Sequence, residues 1–80
     1  MAEHEKKHPF FVDAKRYETE HSSLTGAAIK NLAGVTPTYQ LYLEEEGDTP
    51  DKPIGDNDAV DLTGREKHFF AVPPATFGNQ

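Results

Sequence analysis

A single stretch of this chain carries the signals of an α-helix, and that stretch limits the fold more than any other feature. Residues 22–34 read Ser22-Ser23-Leu24-Thr25-Gly26-Ala27-Ala28-Ile29-Lys30-Asn31-Leu32-Ala33-Gly34. Thr25 is placed to act as N-cap, its hydroxyl accepting from an orphan amide of the first turn. Leu24 and Ile29 stand at the spacing of a hydrophobic staple. Gly34 falls where the chain needs a left-handed residue to leave a helix. Ala28, Ile29 and Leu32 share one side by the i, i+3, i+4 rule. A helix of about two and a half turns is marginal alone in water, so this one must be held by packing against a sheet.

The remaining apolar runs supply that sheet. His8-Pro9-Phe10-Phe11-Val12 is a short aromatic and β-branched run, followed by a predicted turn at Asp13-Ala14-Lys15 and a polar-alternating segment, Arg16-Tyr17-Glu18-Thr19-Glu20, which together make a hairpin. In residues 39–44, Tyr39, Leu41 and Leu43 alternate with Gln40, Tyr42 and Glu44, which predicts a third strand. Residues 45–58 carry Gly47, Pro50, Pro53 and Gly55 and read as a loop with a brief extended piece at Lys52-Pro53-Ile54. Val60 and Leu62 read as a short turn or 3₁₀ segment that plugs one end of the core. Lys67-His68-Phe69-Phe70-Ala71-Val72 is the last strand, stopped by Pro73-Pro74.

The order strand, strand, helix, strand, short extended piece, strand predicts an α+β fold with a mixed sheet of four to five strands and one covering helix. Phe10 to Val12 and Phe69 to Val72 are continuous apolar runs, as central strands are. First and last strands paired in parallel at the sheet centre is the β-grasp arrangement. The expected organisation is a flexible N-terminal tail over 1–8, the folded domain over 9–73 and an extended C-terminal tail over 74–80.

Composition narrows what such a fold can do. The chain has 80 residues, enough for one small domain burying roughly 60% of its unfolded surface and too few for an enzyme with its own cofactor cleft. With no Cys it forms no disulfide, Cys-zinc site or thiol intermediate. Its 8 Lys and Arg against 14 Asp and Glu, a net charge of −6, argue against nucleic acid. Residues 1–7 lack the apolar core of a signal peptide and no run approaches the length of a membrane span, so a cytoplasmic location is expected. His4 and His8 share an i, i+4 spacing without a third ligand at fixed geometry, and Asp48, Asp51, Asp56 and Asp58 do not match a calcium loop, so no metal site is expected. No Ser, Thr or Lys has an activating base beside it in sequence and there is no phosphate-binding glycine loop, so neither catalysis nor a cofactor is expected.

The aromatic doublets Phe10-Phe11 and Phe69-Phe70 carry a different message. In a sheet covered on one face, one phenylalanine of each pair points outward while its neighbour enters the core. Together with Tyr42 and the solvent-side His68, the outward ones would form a protein-binding face, unless the tail or a second copy of the chain covers it by self-association.

Several short motifs in fixed order resemble the bacterial multiubiquitin family. They are Leu24-Thr25-Gly26, Leu32-Ala33-Gly34-Val35, Pro37-Thr38-Tyr39-Gln40-Leu41-Tyr42-Leu43-Glu44, Pro53-Ile54-Gly55-Asp56, Val60-Asp61-Leu62 and His68-Phe69-Phe70-Ala71-Val72-Pro73-Pro74-Ala75-Thr76-Phe77-Gly78. The resemblance implies a single-copy ubiquitin-like β-grasp domain, encoded in operons suggestive of antiviral defence. It implies that the chemistry lies at the tail: a peptidase removes Asn79-Gln80, and the Gly78 carboxylate is adenylated by an activating-enzyme homologue and passed through a conjugating-enzyme homologue to a target protein. Unlike ubiquitin, the tail has one glycine, preceded by Phe77. The aromatic residues Phe10, Phe11, Tyr42, His68, Phe69, Phe70 and Phe77 are the candidate contacts for these partners. Two other readings remain open: a sulfur carrier with a C-terminal thiocarboxylate, and a non-conjugated interaction module.

Overall fold

The computed structural model describes residues 7–74. The first hairpin pairs β1 (His8–Val12) with β2 (Lys15–Thr19) in antiparallel register, Phe10 opposite Tyr17 and Val12 opposite Lys15. Because Lys15 already pairs, the turn holds only Asp13 and Ala14, at φ 54 and 70, rather than the three residues expected. Two left-handed residues make the tight turn whose twist matches the strands, and its usual glycine is absent here.

After β2, the short strand β3 (Ser23–Thr25) leads directly into α1 (Gly26–Ala33). Thr25 caps the helix as expected, its Oγ1 accepting from the Ala28 amide at 3.2 Å. Gly34 closes it at φ 74, donating to Asn31 and Lys30 carbonyls. The loop at 55–58 completes the N-terminus: the Gly26 amide donates to the Asp58 carbonyl at 3.0 Å and the Ala27 amide to Asp56 at 3.2 Å. These bonds satisfy donors that a short helix otherwise leaves to solvent.

The chain continues with β4 (Gln40–Leu43), β5 (Lys52–Ile54), β6 (Ala59–Asp61) and β7 (Lys67–Val72). Five strands form one sheet in the order β2-β1-β7-β4-β5, and β3 pairs with β6 in a separate ribbon. β1 and β7 run parallel at the sheet's centre, Phe11 opposite His68 and Val12 opposite Phe69, flanked by antiparallel β2 and β4. This is the expected β-grasp arrangement. The segment around Val60 differs from expectation: it is a strand, not a turn, because Val60 pairs opposite Leu24 on β3. Three-residue strands carry too little periodicity to be read locally, and each of these exists only through its distant partner.

One core lies between the sheet and α1: Phe10, Val12, Ile29, Leu41, Ile54, Val60, Leu62 and Phe69, with Tyr17, Leu24, Ala33, Val35 and Leu43 packed against it. Phe69 meets Phe10 edge-on at 6.2 Å and Tyr17 stacks on Phe10 at 5.8 Å. The helix presents Gly26, Ile29 and Lys30 inward, while Leu32 is 47% exposed. The apolar stripe expected through Ala28, Ile29 and Leu32 is therefore rotated toward Lys30. No helix among the described residues is long and apolar enough to cross a membrane.

Candidate functional site

With α1 on one face of the sheet, alternation decides what the other face shows. Phe10 and Val12 point into the core, so Phe11 points away; Phe69 points in, so His68 and Phe70 point away; Leu41 points in, so Tyr42 points away. Phe10 and Phe69, at 0% and 1% exposure, are thereby removed from the candidate contact residues. A partner cannot touch a side chain that the core encloses.

The outward residues meet in pairs. Phe11 and His68 stack almost parallel, centroids 4.6 Å apart and planes 4° off, where β1 and β7 run side by side. Tyr42 and Phe70 stack at 5.2 Å and 11° across β4 and β7. Polar groups flank both pairs. Arg16, opposite Phe11 on β2, is held by Glu18 at 2.8 Å, and Glu44 follows β4 with its amide donating to the His68 carbonyl at 2.8 Å. A cleft of about 490 Å³ beside His68 is lined by four acids, Glu44, Glu45, Glu46 and Glu66, against two bases, Lys67 and Arg65, the latter tied to Glu46 at 2.6 Å. The aromatic face thus has an acidic margin.

Rings of this kind offer contact area at low entropic cost, with the His68 imidazole and Tyr42 hydroxyl as polar handles. Stacked rings presented by neighbouring strands, Phe11, Tyr42 and Phe70 half-buried and His68 exposed, are suited to binding a protein surface. The sheet edges are not: β5 carries Pro53, which has no amide to donate, and β2 exposes Lys15, Arg16 and Glu18, side chains that discourage strand addition. Among the described residues, no three His, Asp or Glu side chains come together to hold a metal ion.

The second candidate region is the exit of β7. The strand's pairing ends with Val72 opposite Gln40, and Pro73 and Pro74 follow, both exposed and outside the sheet. Phe77, Gly78, Asn79 and Gln80 lie outside the described residues.

Sequence reasoning missed two polar anchors. The Asp13 carboxylate leaves the hairpin turn and accepts from the Ala71 amide at 3.2 Å, joining residues 58 positions apart. Lys30 is buried within the helix face, its ammonium donating to the carbonyls of Pro37 at 2.7 Å and Tyr39 at 2.9 Å and pairing with Asp56 at 2.8 Å. Neither had a local signal, since a lysine on a short helix and an aspartate in a turn are ordinary surface residues.

No curated protein and no solved structure is significantly similar to the chain. The family model described as Multiubiquitin matches residues 9–74, from β1 through the prolines that follow β7. A match over this span, together with a helix packed on a mixed sheet whose first and last strands pair in parallel, shows that the chain belongs to the multiubiquitin family of ubiquitin-like proteins.

Proposed function

We propose that this ubiquitin-like protein is a modifier, processed after Gly78, activated at the freed carboxylate by adenylation and transferred to a target protein by a conjugating enzyme. The observation that carries the reading is the way β7 ends. A strand from the middle of the sheet stops at two exposed prolines, so the chain leaves the ladder there and the glycine-bearing segment begins a few residues on. A terminal glycine has no side chain to obstruct a narrow adenylation site. The aromatic face of Phe11, His68, Tyr42 and Phe70 serves as the docking surface for the handling enzymes, which supply the cysteine this chain lacks.

Intact mass after coexpression with a cognate processing peptidase, activating enzyme and conjugating enzyme tests the proposal. The expected result is loss of Asn79-Gln80 followed by ATP-dependent attachment to protein. A gain of sulfur at the terminus would make the chain a sulfur carrier instead, and an unprocessed, unattached chain would leave the interaction module.

A further inference from the structure

The parallel ladder between β1 and β7 ends in an unusual way. Val12 pairs opposite Phe69, and the Asp13 amide donates to the Phe69 carbonyl at 2.9 Å. The next amide of β7 facing this side belongs to Ala71, two residues on, and in a continuing ladder it would find a β1 carbonyl. Asp13 instead enters the left-handed region at φ 54, turning the backbone away, and its own carboxylate oxygen takes the Ala71 amide at 3.2 Å. The following position on that side is Pro73, which has no amide. The bond from Ala71 to Asp13 is therefore the last hydrogen bond β7 can donate toward β1.

We propose that the Asp13 carboxylate is a latch that sets where the C-terminal segment leaves the sheet. With it closed, the end of β7 is held from both sides, the Ala71 amide by Asp13 and Val72 by its pairing opposite Gln40 on β4, and the segment starts at Pro73. With it open, residues 71–72 hold only to β4 and can peel away, lengthening the segment by two residues. Asp13 is then a positioning residue for the tail, acting through Ala71 rather than touching any enzyme. The consequence for processing rests on the modifier reading above, whereas the latch itself does not.

Two substitutions separate the carboxylate from the turn. Asp13→Gly keeps the left-handed backbone and deletes the acceptor, and Asp13→Asn keeps both the tolerance for that backbone and an Oδ1 acceptor. Residue-resolved amide exchange on the full chain reads the latch. Exchange at Ala71 is expected to rise about tenfold in Asp13→Gly and to return close to the parent rate in Asp13→Asn, with Ile29 in the helix unchanged. Equal Ala71 exchange in the parent and Asp13→Gly would overturn the latch, as would Asp13→Asn behaving like Asp13→Gly. In the peptidase assay, Asp13→Gly is expected to be cleaved several-fold faster at Gly78 and Asp13→Asn at the parent rate. Unchanged cleavage despite faster Ala71 exchange would overturn the positioning role. A parent chain that no peptidase cleaves would count against the modifier reading alone, because amide exchange decides the latch independently.

Discussion

The Lys30 ammonium and the Asp56 carboxylate sit 2.8 Å apart, but they are unequal partners: the lysine side chain is 7% exposed and the aspartate 58%. The lysine also spends its other protons on the Pro37 and Tyr39 carbonyls. Its ammonium therefore ties the helix to two segments of chain, the 37–39 connection and the loop around Asp56.

Removing the lysine should cost far more than removing the aspartate. Lys30→Met keeps the apolar stem but strands two carbonyls, and denaturant unfolding should show a loss of about 2–4 kcal/mol. Asp56→Asn leaves both carbonyl bonds in place and removes a partly solvated charge, for an expected loss below about 1 kcal/mol. A mild reagent for surface amines should label Lys30 last among the lysines of the described residues, read by peptide mass mapping.

Ala14 should be replaceable with profit. Its φ of 70 places a Cβ where L residues are crowded, and relieving that cost outweighs the extra backbone freedom of glycine in the unfolded chain. Ala14→Gly is expected to stabilise the domain by about 0.5–1 kcal/mol, raising Tm by a few degrees in a thermal scan.

Gly26 should tolerate nothing larger. A Cβ built there would stand 2.3 Å from the Gly55 carbonyl oxygen, a backbone atom that can move only by dragging the 55–58 loop off the helix N-terminus. Gly26→Ala raises helix propensity yet should destabilise by about 1–3 kcal/mol, with lost amide protection at Gly26 and Ala27 as its signature.

Lys30 stands on one side of the line between what was legible in the sequence and what was not. The helix bounds, the N-cap at Thr25, the central pairing of the two phenylalanine runs and the stop at Pro73 were readable because each has a local cause: a hydroxyl, a period, a missing amide. What escaped depends on distant partners. β3 and β6 are three residues each and exist through one another, Lys30 is buried because carbonyls nine and fewer residues away converge on it, and Leu32 is exposed because the sheet meets the helix one step around. For the candidate site, alternation predicted that one phenylalanine of each doublet faces out but not which, since the choice follows from the register between β1, β7 and β4.

At the end of β6, the Asp61 carboxylate accepts from the Thr63 hydroxyl at 2.6 Å and its amide at 2.9 Å. These bonds, the hydroxyl's foremost, hold its pKa below the ordinary carboxylate value. A depressed folded-state pKa contributes stability that is present above the unfolded value and disappears as pH falls through the folded one. The contribution should thus vanish only below about pH 4, and Thr63→Val should raise the Asp61 pKa toward its ordinary value in a carboxyl NMR titration.

The two faces of the central strands should separate stability from binding. Phe10 and Phe69 fill the core, and truncating either to alanine should cost about 3–5 kcal/mol in unfolding experiments. Phe11 and Phe70, next to them in sequence, stack on His68 and Tyr42 on the outer face, so Phe70→Ala and Phe11→Ala should cost about 1 kcal/mol or less. The order reverses when the readout is transfer from the activating to the conjugating enzyme. Phe70→Ala and Phe11→Ala are expected to lower the transfer rate at least tenfold while circular dichroism and thermal unfolding stay near those of the parent. Because Glu44, Glu45, Glu46 and Glu66 edge the cleft next to His68, raising the salt concentration should also slow docking of a basic partner surface. Normal transfer by both variants would remove the aromatic face from the docking role and leave the tail as the sole contact.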